Sequence, residues 1–184
     1  MRLFIATSFP AAVIDPLNEQ LIRLRPRLPA ASWLRPETLH LTFAFLGEQP
    51  GPVVDKLVPL VIEQLAAVEK FEGRLRSCGF FPNPRHARVG WIGAQPSEKF
   101  ERLAMAVREA VKDAGVELDH NEFRPHLTLM RIRDRWPPMS IETFNKAFRE
   151  YESAPFTIDR ITLFESKLNP KGAVHTAVRE FALA

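Results

Sequence analysis

Cysteine is nearly missing from this chain: Cys78 stands alone among 184 residues. One thiol cannot close an internal disulfide or build a zinc cage, so the fold has neither staple. Cys78 is read as a small buried hydrophobe. The same scarcity fits a reducing compartment, and the expected location is the cytoplasm. Long apolar runs are missing too. No stretch approaches the ~20 residues needed to span a bilayer, so no membrane association is expected. The opening Met1-Arg2-Leu3-Phe4-Ile5-Ala6 is apolar but is soon interrupted by Pro10 and Asp15. It reads as a strand rather than a secretory leader. Nor is there a strong charge of one sign. The 25 Lys and Arg oppose 22 Asp and Glu, leaving +3. That balance leans toward an anionic ligand but lacks the basic excess of a dedicated duplex-binding domain.

Several catalytic signatures are absent. There is no G-x-x-x-x-G-K-[ST] phosphate loop, no G-x-S-x-G elbow and no H-E-x-x-H zinc helix. Without a nucleotide-binding loop, ATP-driven ligation is not expected, and neither is a cofactor. Any joining of ends would have to be a reverse transesterification fuelled by a cyclic ester. The composition itself, 46% hydrophobic and 26% charged, is that of a globular enzyme rather than a disordered tail.

Patterning along the chain predicts mixed α and β elements without strict β-α-β alternation. Strands are expected at 2–9, 38–46, 71–81, 87–92, near 116–118, and at 126–132, 156–168 and 173–183, the last two joined by the turn NPKG. Helices are expected from Pro10 to about Leu28, over 53–68 with a kink or late start at Pro59, over 97–114 capped by Ser97 and ended by Gly115, and over 140–151. One feature recurs. TLHLTFAFL and RPHLTLMRI are near copies whose histidines, His40 and His126, lie 86 residues apart. Two similar lobes facing one another follow from that spacing, with residues 1–184 forming one domain.

Each His-x-Thr unit carries chemistry. On a strand, side chains alternate, so His40 and Thr42 share one face while Leu41 and Phe43 take the other. His126 and Thr128 do the same against Leu127 and Leu129. Brought together, the two strands offer two imidazoles and two hydroxyls, with no carboxylate or thiol. That set suits phosphodiester cleavage without a metal. One imidazole takes a proton from water and the other gives one to the leaving oxygen. The Thr hydroxyls can donate to phosphate oxygens, and an Arg can grip them. Arg131 follows the second motif, and Arg124 shares the face of His126 by parity.

In this context the chain resembles the two-histidine phosphoesterases, and within them the bacterial and archaeal RNA 2′,3′-cyclic phosphodiesterases also called 2′-5′ RNA ligases. The matching segments are RLFIAT-FP, W-RPE-LHLTFAFLGE, GFFPNPRHARVGWIG, F-RPHLTL-R and ITLFESKLNPKG. The resemblance implies an α+β fold of two pseudo-symmetric lobes, each an antiparallel sheet with helices outside, around a central cleft. It also implies extended motifs, His-x-Thr-x-x-Phe and His-x-Thr-x-x-Arg, both intact here. His40 would be the general acid and His126 the general base. Arg131 would clamp the phosphate, and Phe45 would stack on the terminal base. The substrates would be RNA ends or short oligonucleotides with a 2′,3′-cyclic phosphate, and the product a 2′-phosphate. No obligate protein partner is expected.

Two other readings stay open: reversible 2′,5′ transesterification or cleavage of another small cyclic nucleotide, and an RNA-binding module without turnover. Phe45 and Arg131 each lie five residues beyond their histidine. Ideal alternation would turn both away from the cleft, so a bulge, strong twist or strand end is required. Trp33 and Arg35 read as packing or surface residues, Trp91 as a core residue, and Trp136 as a loop residue bordering the cleft. His86, His120 and His175 read as surface or structural. Glu165 and Ser166 match the family pattern without an assigned chemistry.

Overall fold

Five consecutive buried residues, Leu3 to Thr7, fill strand β1 (Arg2–Ser8). Such a run demands cover on both faces, which places β1 inside a sheet. The molecule is described here from a computed structural model covering residues 1–119, 121–169 and 172–184. Helix α1 (Ala11–Leu24) follows, burying Val13, Ile14, Leu17, Leu21 and Leu24 at helical spacing. It stops earlier than the sequence suggests. Residues 25–27 tighten into a 3₁₀ turn around Pro26, which lacks the N–H that would continue the helix. Next come β2 (Ser32–Trp33), β3 (His40–Glu48) and α2 (Gly51–Leu65). Helix α2 starts before Val53, because Pro52 fits the first turn, and it carries Pro59 inside.

Strands β4 (Phe71–Phe81) and β5 (Val89–Gln95) lead into α3 (Ser97–Asp113). Ser97 does not cap this helix with its side chain. Its own N–H is taken by Gln95 Oε1 at 3.1 Å, with Pro96 in the cap position. The far end is a glycine cap. Gly115 has φ +85°, its N–H reaches the Lys112 carbonyl at 2.8 Å, and the Val116 N–H reaches that of Val111 at 3.1 Å. Val116 is spent in that cap and buried, so the strand expected near 116–118 does not form. Strand β6 (His126–Arg131), helix α4 (Pro138–Phe148), β7 (Phe156–Ile158), β8 (Arg160–Asn169) and β9 (Gly172–Ala182) complete the chain. The single strand expected over 156–168 is thus two, parted at Asp159. In the NPKG turn, Asn169 pairs with Gly172, while Pro170 and Lys171 lie outside the described residues. So does His120.

The strands form one antiparallel sheet in the order β7-β4-β5-β6-β3-β1-β8-β9, with β2 added to β6. That order divides into two runs of four strands, the first extended by β2, that meet where β3 pairs with β6 at Leu41 and Leu127. The fold is α+β, as the sequence leads one to expect. Helices α2 and α3 pack together, α3 covers β3 and β5, and α4 lies on β4. Leu41, Leu127, Phe43, Leu57, Phe100 and Val107 are all buried in the resulting core. Each such side chain contributes about 1.5–3 kcal/mol by leaving water. Trp136 belongs to this core, packed against Phe80 with ring centroids 6.3 Å apart, and does not border the cleft. Among the described residues, no helix is long and apolar enough to cross a membrane.

Candidate active site

The site is built at the join between the two halves. Leu41 pairs with Leu127 in an antiparallel ladder. One residue further on each strand, His40 falls across from Thr128 and Thr42 across from His126. All four are half-buried on one face, while Leu41 and Leu127 are fully buried on the other. His40 and His126 are then diagonal neighbours, a relation that spans ~7–8 Å in such ladders.

The required bulge is present, and twice. On β3, Thr42 pairs with Ala6 and Ala44 with Ile5, so Phe43 is an extra residue without its own partner. On β6, Thr128 pairs with Trp91 and Met130 with Gly90, so Leu129 is extra. Each bulge sits three residues after its histidine. Buried pairs mark both places: Phe43 with Ala44, and Leu129 with Met130. The inserted residue reverses the alternation and returns Phe45 and Arg131 to the histidine face. Phe45 is 64% exposed. Both residues line a cavity of about 660 Å³ together with His40.

Each imidazole is anchored in the same way. His40 Nδ1 lies 2.7 Å from the Thr38 carbonyl, and His126 Nδ1 lies 2.6 Å from the Arg124 carbonyl. A carbonyl oxygen can only accept, so Nδ1 carries the hydrogen and donates it in both rings. Nε2 is therefore the nitrogen free to exchange a proton. Aromatic walls surround both. His40 lies 4.9 Å from the Phe4 ring and 5.3 Å from the His175 ring. His126 lies 4.9 Å from Phe81 and 6.2 Å from Trp91. Gly79 permits the second wall, since a Cβ there would sit 2.3 Å from the Trp91 ring.

Burial lowers the pKa of both histidines below the usual value, because the charged ring loses its water. The carbonyl bonds oppose that shift by favouring the protonated form. For His40, the positive charges that His175 and His126 can carry lower it further.

Charge differs between the two sides of the site. The His40 cavity is lined by Arg2, Arg35 and Arg131 and, among the described residues, by no carboxylate. Beside His126 lies a cavity of about 610 Å³ shared with Thr42, Phe45 and Phe81, where charges are mixed. Arg124 lines it, exposed and paired with Glu122 at 3.2 Å, and Arg108 pairs with Asp119 at 3.3 Å. Arg124 thus holds His126 through its main chain, and its side chain pairs with Glu122 in the wall of the same cavity. Thr128 is half-buried opposite Trp91. Among the described residues, no three His, Cys, Asp or Glu side chains gather closely enough to hold a metal ion.

Several residues took places their sequence neighbours did not signal. His175, read as surface or structural, belongs to the site. Trp33 and Arg35 line the His40 cavity, with the Arg25 guanidinium 5.1 Å above the Trp33 ring. Trp91 is half-buried against His126 rather than within the core. Phe4 and Phe81 form the walls. Strand adjacency brings most of these residues in: β1 beside β3 for Phe4, β5 beside β6 for Trp91, β4 beside β5 for Phe81, β2 beside β6 for Trp33, and the succession β3-β1-β8-β9 for His175. His86 is exposed, as expected. Cys78 is half-buried with Sγ 3.6 Å from Asn145 Oδ1, and burial raises its thiol to about 11.

Residues 13–170 match the sequence profile of the 2′-5′ RNA ligase superfamily. A protein of Archaeoglobus fulgidus named RNA 2′,3′-cyclic phosphodiesterase is 32% identical, the match covering 98% of this chain and 99% of that protein. Its namesake from Thermus thermophilus is 33% identical over 100% of this chain and 90% of its own length. Among solved structures, TT0787 of Thermus thermophilus superposes with a TM-score of 0.79 at 30% identity, covering 100% and 98% of the two chains. E. coli LigT complexed with 3′-AMP superposes with a TM-score of 0.73 at 26% identity, covering 99% and 97%.

Proposed function

The chain belongs to the 2′-5′ RNA ligase superfamily, and on that footing we propose that it is an RNA 2′,3′-cyclic phosphodiesterase that opens the cyclic end to a 2′-phosphomonoester without a metal. Relatives of that name support the cyclic phosphodiesterase activity. The observation that carries the finer reading is the matched pair of imidazoles. Each is held through Nδ1–H by the carbonyl two residues before it, on neighbouring strands of one sheet.

In the proposed reaction, Nε2 of His126 takes a proton from a water molecule as its oxygen attacks phosphorus. The bond from phosphorus to the ribose O3′ breaks. Protonated Nε2 of His40 gives its proton to O3′, leaving the phosphate on O2′. Each assisted proton transfer contributes roughly 10²- to 10⁴-fold in rate. Thr42 and Thr128 donate hydroxyl hydrogens to non-bridging oxygens. Arg131 clamps the phosphate and stabilises the charge that builds there. Phe45, largely exposed at the mouth shared by both cavities, stacks on the terminal base. Residues 1–184 act as one domain, since the acid and the base come from opposite halves of the sheet.

The test is product analysis. An oligonucleotide ending in a 2′,3′-cyclic phosphate is incubated with the protein, and the product is identified by phosphorus NMR and mass spectrometry. A 2′-phosphomonoester is expected. A 3′-phosphomonoester, a 2′,5′-joined product, or bound but unchanged RNA would each reject the assignment.

A further inference from the structure

His175 has no place in either His-x-Thr unit, yet its ring meets His40 edge to face, with centroids 5.3 Å apart and planes at 83°. Both rings rest on Phe4, each 4.9 Å from it. On β9, His175 stands opposite Ser166 of β8, and both line the same cavity as His40, Phe45 and Arg131. The Nδ1 of His175 is buried without a hydrogen-bond partner. A phenylalanine would fill the same space against Phe4 and leave no nitrogen unpaired. An imidazole there is therefore poor as packing, which points to a role for its proton.

We propose that His175 is a positioning residue for His40, sharing a single proton with it in the empty cleft and leaving it to His40 once an anionic phosphodiester enters. This rests on the reading of His40 as the general acid. Two imidazolium rings in van der Waals reach repel strongly. The other groups facing the pair add to that repulsion. They are Arg2 from β1, Arg35 from the segment before β3, and Arg131 from β6, which line the cavity, with His126 outside it but close enough to act on His40 by charge. From β8, uncharged Ser166 faces the pair, while Glu165 and Lys167 occupy the alternate positions and pair with each other at 3.4 Å. An empty cleft therefore accepts one proton on the pair and resists a second.

The two rings are not equivalent. His40 is the more deeply set: burial lowers it, the Thr38 carbonyl bond raises it, and charge on His175 and His126 lowers it again, whereas His175 is lowered by burial alone. In the proposal the shallower ring, His175, holds the first proton and the deeper ring, His40, receives it when the anion binds. A bound phosphodiester supplies the negative charge that lets His40 be protonated. The proton passes by exchange with solvent: His175 loses one, His40 gains one, and the net charge of the pair does not change.

The experiment is an NMR titration of the imidazole rings in the free protein, for the wild type, His175→Phe and His175→Gln. In the wild type, the His40 ring should show two inflections, one tracking His175. In either variant it should show one, moved up by about one pH unit, the coupling at which two sites titrate as a pair. The limb of the kcat/KM profile governed by His40 should move the same way. A single His40 inflection in the wild type, or an unmoved midpoint in a folded variant, would overturn the proposal. The titration needs no turnover. A coupled pair in a protein that leaves cyclic RNA intact would reject the proposed function alone.

Discussion

Leu41 of β3 faces Leu127 of β6 across the only ladder that joins the two halves of the sheet among the described residues. The arrangement of the histidine face follows from that pairing. It sets each histidine across from the other motif's threonine, and it seals the opposite face with two fully buried leucines. A shift of one residue would exchange the faces and bury the imidazoles. The chemistry thus depends on a register fixed by hydrophobic burial.

Removal of either imidazole should remove its proton transfer. His40→Ala and His126→Ala are each expected to lower kcat/KM by at least roughly 10²- to 10⁴-fold. Circular dichroism and thermal melting should show both variants folded, since both histidines are only half-buried. Near-normal turnover in either variant would remove that residue from the mechanism.

The pH dependence has a definite sign. In the proposed reaction the base must be neutral, so the rate falls as pH drops through the pKa of His126. The acid must be protonated, so it falls as pH rises through that of His40. Burial lowers both. The kcat/KM profile should be a bell centred below the ordinary histidine pKa of about 6.5. Bound phosphate favours the charged rings, so the kcat profile should lie to higher pH. A bell centred well above neutrality would contradict the assignment of the limbs to these two rings.

Arg131 reaches the histidine face only because of the bulge at Leu129, and in the proposed reaction it clamps the phosphate there. Arg131→Ala should cost on the order of 10²-fold or more in kcat. Arg131→Lys should recover only part of the loss, since an ammonium keeps the charge but not the planar fork. Steady-state kinetics on a cyclic-ended oligonucleotide decide it. Equal activity of all three proteins would place the phosphate elsewhere.

Much of this is legible in the residues alone. The two His-x-Thr units announce themselves as strands by period and as a pair by repetition. The need for a bulge follows from counting to Phe45 and Arg131. The location of each bulge does not, because the β1 and β5 partners that define it are distant in sequence. His175 is illegible for the same reason. It reaches His40 only through the succession β3-β1-β8-β9, a tertiary fact with no local mark. Val116 and Trp136 mislead in the opposite direction. The neighbours of Val116 resemble a strand, but it is drawn into the cap of α3; Trp136 does lie in a loop, but its ring is buried against Phe80 instead of bordering the cleft.

In the proposed reaction two protein imidazoles suffice for the proton transfers. Hydrolysis of a cyclic-ended RNA by the chelator-treated protein, assayed in EDTA, tests it most directly. Turnover should match that of the untreated protein and should vanish in His40→Ala and His126→Ala. Turnover lost on chelation and restored by a divalent cation would contradict the claim.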